Sequence, residues 1–257
     1  MMDIKRTCIL LFGAAMLLTG VRDALWYYSQ AAQLAQYAVA AASKGAFTEK
    51  LVWAFFTAAF GAASLVLGFR LKKERMLYAF FLLWGVYSLL YAGYKVASAA
   101  YPMFRLKPIV LAEPLILVAL GLLLIKLGRD YLAEEKLDLR LAGACAGVYA
   151  LHLSVSPLVS ILRLKASISA MSAAPLILFL ALLISGLLLW SGRVKRVSYT
   201  LYLLAALALW KALIWIPGVL KIASTAGTAY FYPTLLSLPI AFAYIALGYC
   251  LARLGRL

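Results

Sequence analysis

Five ionisable side chains lie within or beside long apolar runs of this sequence. They are Glu113, Lys211, His152, Arg22 and Asp23. An ionised side chain at the centre of a bilayer costs about 3 kcal/mol or more, so residues of this kind mark ion or substrate pathways. A carboxylate, an amine and an imidazole at similar depth can bind a solute, relay a proton or act as acid and base. We therefore take these five residues as the candidate solute or proton site.

Glu113 and Lys211 are predicted to meet in the outer half of the bilayer. Counting inward from Lys107 and Lys221 at 1.5 Å per helical residue puts them about 9 and 15 Å below the outer surface. His152 is expected at a similar level. One interpretation is that the pair only neutralises two buried charges. The others are that it binds a solute or proton, or that Lys211 extends to the headgroups.

A short motif near the ends of two apolar runs places lysine and serine at one rim of the protein. Lys95 and Ser98 recur as Lys221 and Ser224, with the same three-residue spacing. Anchoring of headgroup phosphates is one interpretation. A ring that selects anions at a pore mouth is the other.

This motif belongs to a longer internal duplication. The segment 119–129 resembles 246–256, so the offset is 127 residues there and 126 between Lys95 and Lys221. A period this long indicates two copies of one bundle. We predict two tandem four-helix repeats, residues 1–133 and 134–257. Because four is even, the repeats would be parallel and related by an axis along the membrane normal.

The composition predicts an all-α polytopic membrane protein. The chain has 257 residues, 66% of them apolar, with a mean hydropathy of +0.97, and a membrane-spanning helix needs about 20 apolar residues. The predicted eight transmembrane helices are 7–26, 51–69, 76–94, 109–127, 141–162, 170–190, 197–220 and 232–254. The stretch 27–50 is expected to be an interfacial helix or loop. The first run also fits a signal peptide, although no small-residue cleavage site follows it.

Basic residues are more frequent at one side of the predicted bundle. There are 25 Lys and Arg against 9 Asp and Glu. The inner face would carry Lys5, Arg6, the basic turn 70–75 and Arg253, so the positive-inside rule predicts cytoplasmic termini in the cell membrane. Since the charges lie at helix ends and not in one patch, anionic lipid headgroups are the expected partners. Nucleic acid is not an expected partner, whereas protein partners and a homo-oligomer are both compatible with the sequence.

Several kinds of chemistry lack their residues in this sequence. Three cysteines without a CxxC pair, and a single histidine, make a metal or haem site unexpected, so we expect no cofactor. No P-loop, HExxH or other catalytic motif is present. Gly143 and Gly147 form a small-xxx-small face for helix packing. The absence of asparagine fits the composition of a thermophile protein.

These observations lead to a hypothesis of function with two alternatives. The duplication and the intramembrane charges favour a protein that forms, or contributes to, a translocation pathway for a small solute or ion. The first alternative is a cofactor-free membrane anchor or assembly subunit whose basic inner face binds acidic partners. The second is a lipid-modifying enzyme with Glu113 or His152 as acid or base.

Overall fold

The protein is helical throughout the part of the chain that the structure, a computed structural model, describes. That part comprises residues 2–36, 40–70, 77–100, 108–134, 137–164 and 170–256. Its α-helices are α1 (Met2–Gln36), α2 (Ala40–Arg70), α3 (Leu77–Ala100), α4 (Pro108–Glu134), α5 (Leu139–Leu164), α6 (Ala170–Trp190), α7 (Ser198–Leu220), α8 (Phe231–Leu235) and α9 (Ser237–Gly255).

Six stretches of the described chain are long and apolar enough to cross a membrane. They are Asp3–Ala32, Lys50–Arg70, Leu77–Ala97, Leu111–Glu134, Ser198–Leu220 and Phe231–Gly255. The described parts of α5 and α6 add two shorter apolar stretches, Leu139–Val155 and Pro175–Trp190. Large apolar side chains remain exposed on these helices, among them Phe55, Leu115, Ile177 and Phe242. The architecture is therefore that of a multi-pass membrane protein.

The predicted apolar runs coincide with helices, although the helix ends differ. The stretch 27–50 is largely a continuation of α1 to Gln36 and of α2 from Ala40. The last predicted helix is divided at Leu236, and Pro239, which has no backbone N–H to donate, falls in the first turn of α9, where no donor is needed. The predicted basic turn lies almost wholly outside the described residues. The count of eight spans, the tandem repeats and the cytoplasmic termini stay predictions.

The chain forms two compact units that are not continuous in sequence. Unit A consists of Met1–Met2, Leu71–Leu207 and Leu251–Leu257, and unit B consists of Asp3–Arg70 and Ala208–Cys250. These units are defined by contacts and not by resemblance. The predicted repeats, 1–133 and 134–257, are a different division of the chain and stay a prediction.

Antiparallel helix pairs approach closely where one helix presents a glycine. A Cβ at Gly143 of α5 would lie 2.7 Å from the Gly186 carbonyl oxygen of α6, and one at Gly186 would lie 2.6 Å from the Gly147 nitrogen. Because real Cβ atoms do not approach that closely, only glycine allows this separation of the helices. The same relation holds between Gly20 and Ala58 of α1 and α2 and between Gly85 and Gly121 of α3 and α4, whereas Gly218 of α7 faces the side chain of Ser237 of α9.

A buried apolar cluster in unit A joins α3, α4 and α5. Its buried members are Leu120, Leu124, Leu127, Leu141 and Cys145, and the partly buried side chains packed against it include Phe81, Trp84 and Tyr149. Tyr149 contacts Trp84 edge to face, with ring centroids 5.6 Å apart. This packing fixes the three helices that carry the polar residues described next.

Candidate functional site

The α3–α4 hairpin brings Lys95 and Glu113 to the same level. Lys95 precedes the last residue of α3, Ala100, by five positions, and Glu113 follows the first residue of α4, Pro108, by five positions. At 1.5 Å per residue both side chains therefore lie about 7.5 Å from the connection between the two helices. Close contact of Gly85 with Gly121 further along the hairpin lets the two helices approach in this register.

One carboxylate oxygen of Glu113 is shared by two nitrogen atoms. Lys95 Nζ lies 3.1 Å from Glu113 Oε1, and His152 Nδ1, from α5, lies 3.9 Å from the same oxygen. The first distance is that of a charge-assisted hydrogen bond. The second is too long for a hydrogen bond but short enough for a strong charge interaction when the imidazole is protonated. The three side chains are mostly enclosed by protein. Their exposed fractions are 30% for Lys95, 21% for Glu113 and 16% for His152.

Aromatic rings surround this trio. Tyr91 meets the His152 ring edge to face at 6.1 Å, and its own ring centroid lies 5.2 Å from Lys95 Nζ. Tyr94 stacks on Tyr91 at 6.2 Å. Tyr149 lies 6.5 Å from the His152 ring, one turn along α5. Tyr149 also contacts the apolar cluster, so the orientation of His152 is coupled to the packing of α3 against α5.

Pro114 removes one backbone hydrogen-bond donor beside Glu113. It lies inside α4 and has no N–H to donate to the carbonyl group four residues earlier. The carbonyl oxygen that loses this donor lies about one helical turn closer than Glu113 to the first residue of α4, Pro108. Such freed groups at membrane depth are tolerated where other polar groups or water can reach them.

Arg22 occupies an aromatic pocket in unit B. Its Nη1 lies 2.8 Å from Asp23 Oδ1, and its guanidinium carbon lies 4.8 Å from the Trp26 ring centroid and 5.0 Å from that of Trp215. Trp26 in turn contacts Tyr230 at 4.8 Å. The cation is thus held by one carboxylate and two indole rings, which joins α1 to α7 and to the segment that precedes α8.

Lys211 lies in unit B as well. Its Nζ is 5.7 Å from the ring centroid of Tyr244 in α9, a cation–π contact. Glu113 belongs to unit A, where the structure places it beside Lys95 and His152. The predicted pairing of Glu113 with Lys211 would join the two units, and it stays a prediction.

The two copies of the rim motif have different surroundings. Lys95 takes part in the site, whereas Lys221 is exposed and lies in a turn just before the 3₁₀ helix Ala223–Thr225. Ser224 Oγ donates to the Lys221 carbonyl oxygen at 2.9 Å. The side chain of Ser98 lies outside the described residues. Headgroup anchoring and an anion-selecting ring therefore both stay predictions for this motif.

Sequence reasoning missed the contact of Lys95 with Glu113, which was available from the register of the hairpin. The duplication assigned Lys95 to the rim together with Lys221, and this grouping concealed its neighbour across the hairpin. Counting residues back from the connection, as above, places Lys95 opposite Glu113. The aromatic pocket of Arg22 joins distant parts of the chain, and no local pattern signals it.

Among the described residues, no group of three or more His, Cys, Asp or Glu side chains is arranged to hold a metal ion. The site of Glu113 has one acid and one histidine, and Lys95 cannot act as a ligand while it is protonated. The arrangement can hold an ion pair, accept a proton at His152 and present charge to a small solute.

The fold and the site together define a class, a multi-pass helical membrane protein in which an acid, a lysine and a histidine meet inside one unit. No family model, no curated protein and no solved structure matches the chain. The residues themselves therefore carry the functional argument.

Proposed function

We propose that the protein forms, or contributes to, a translocation pathway for a small solute or ion across the cell membrane. The polar site on this pathway consists of Glu113, Lys95 and His152. In this proposal the eight helices span the bilayer with both termini in the cytoplasm, and the exposed Lys221 contacts lipid phosphate groups.

The observation that supports the proposal is the sharing of Glu113 Oε1 by two basic nitrogens within apolar helices. A lysine alone would suffice to neutralise Glu113. The added histidine, only 16% exposed, gives the site a group whose charge can change near neutral pH. Ion and proton pathways in membranes use residues of these types facing the interior of the protein.

Reconstitution into liposomes tests the proposal. Purified protein is assayed for flux of protons, alkali cations, small inorganic anions and small organic solutes. We expect flux for at least one of these species, and we expect Glu113→Gln to reduce it at least tenfold because the carboxylate that orders the site is lost. Glu134→Gln, the same change at the exposed end of the same helix, should retain flux close to that of the wild type.

Two results would contradict the proposal. Flux that survives Glu113→Gln would place the pathway elsewhere. Absence of flux for every species, with partner proteins recovered from the native membrane, would favour the membrane anchor or assembly subunit instead.

A further inference from the structure

The two nitrogens that face Glu113 Oε1 differ in how they acquire charge. Lys95 Nζ, at 3.1 Å, belongs to an amine that is cationic across the physiological range. His152 Nδ1, at 3.9 Å, belongs to a ring that is neutral or cationic depending on pH. In the arrangement observed, Lys95 occupies the hydrogen-bonding position and His152 is its neighbour. A proton on His152 would create a second cation for the same oxygen.

In the described part of the chain, contacts to His152 come from three helices. Lys95 and the Tyr91 ring approach from α3, Glu113 from α4 and the Tyr149 ring from α5 itself. The tyrosine rings are neutral near neutral pH. Glu113 therefore favours an imidazolium on His152, and Lys95 opposes it. The charge of His152 and the position of Lys95 are consequently linked.

We propose that His152 binds a proton and that the protonated ring displaces Lys95 from Glu113 Oε1. This inference rests on the proposed function and names the proton as the coupled ion. The step transfers one proton from water to an imidazole nitrogen, and no other covalent bond changes. The charge of the trio rises from zero to +1, and an excess charge inside the membrane is costly.

Lys95 can relieve that cost by moving outward. It lies five positions before the end of α3, about 7.5 Å along the helix axis, and its flexible stem can reach the headgroups from there. The Tyr91 ring, 5.2 Å from Nζ, offers an aromatic face during the exchange. Protonation at His152 is thereby coupled to departure of Lys95 from Glu113, and the imidazolium replaces the ammonium as the cation that neutralises the carboxylate.

The chain contains a single histidine, so histidine-selective ¹⁵N labelling reports on His152 alone. Spectra of the protein in lipid nanodiscs are recorded from about pH 5 to pH 8. We expect one titration, with its midpoint moved in opposite directions by Lys95→Met and by Glu113→Gln, each by about one pH unit or more. The movements are opposite because one variant removes a positive neighbour and the other a negative neighbour.

Lys126→Met is the matched control, since Lys126 is exposed on α4 away from the site. It should leave the midpoint in place. The inference would be overturned if Lys95→Met left the titration midpoint of His152 unchanged, or if Lys126→Met changed it by the same amount. Lys95→Met decides this point even where Glu113→Gln fails to fold.

The flux assay separates this inference from the proposed function. When both proposals hold, flux depends on pH in the range of the histidine titration, and His152→Gln removes that dependence. A titration that responds as expected in a protein without flux would preserve the proton site and contradict the translocation pathway. Flux in a protein whose His152 titration does not respond to Lys95→Met would support the translocation pathway and contradict the proton coupling.

Discussion

At the scale of single residues, the site depends on one oxygen atom of Glu113. The sequence identified Glu113 and His152 as unusual because polar groups are rare in apolar helices, and the structure places both in one cluster. The sequence did not identify Lys95 as the neighbour of Glu113 and His152. The reason is physical: a lysine near a helix end can extend to the headgroups or turn inward, and only packing against α4 decides between these orientations.

The ion pair between Lys95 and Glu113 should be measurable by a double-mutant cycle. We expect Lys95→Met and Glu113→Gln to lower the free energy of unfolding in mixed micelles by about 1–3 kcal/mol each, since each leaves a charge without its partner. The double variant should lose less than the sum, with a coupling energy of about 1–2 kcal/mol. Strict additivity would show that the contact contributes nothing to stability.

At the scale of helices, glycines set how closely the hairpins pack. The sequence predicted one such face from Gly143 and Gly147, and the structure identifies its neighbour as Gly186 of α6. The sequence could not predict that α1 continues to Gln36. Residues beyond Trp26 lack a strong apolar pattern, so they gave no signal to distinguish a helix from a loop.

The same glycine-to-alanine change should have opposite effects at two positions. At Gly20 a Cβ would lie 2.6 Å from the Ala54 carbonyl oxygen and 2.8 Å from the Ala58 Cα, so Gly20→Ala should destabilise the protein by about 1–3 kcal/mol. At Gly93 a Cβ meets nothing within 4 Å among the described residues. There the substitution should be neutral or stabilise the helix by up to about 1 kcal/mol.

Thermal unfolding of the two variants in the same detergent provides the measurement, with the wild type as reference. A loss at Gly93 as large as the loss at Gly20 would argue that helix flexibility, and not the close approach of α1 and α2, determines the need for glycine.

At the scale of the whole molecule, composition was sufficient to predict a helical membrane protein. The bilayer requires runs of about 20 apolar residues, and the sequence contains them. The division into units A and B could not be predicted in this way. It depends on which helix faces pack together, and helices that are apolar on all sides carry little information about their neighbours.

The number of spans can be tested by labelling single cysteines in a variant without Cys8, Cys145 and Cys250. Eight spans place Leu137→Cys in the cytoplasm and Ser167→Cys, in the connection between α5 and α6 outside the described residues, on the opposite side. A membrane-impermeant maleimide should therefore label Ser167→Cys in intact cells and Leu137→Cys only after permeabilisation. Labelling of both from the same side would show that α5 does not cross the membrane.

The register of the α3–α4 hairpin also bears on how the protein is made. Lys95 and Glu113 are only 18 positions apart in the chain, so both emerge from the ribosome within about 1–4 seconds of each other at ~5–20 residues per second. The two helices can thus leave the translocon together as an electrically balanced pair. Partition of either helix alone would carry the full penalty of its charge.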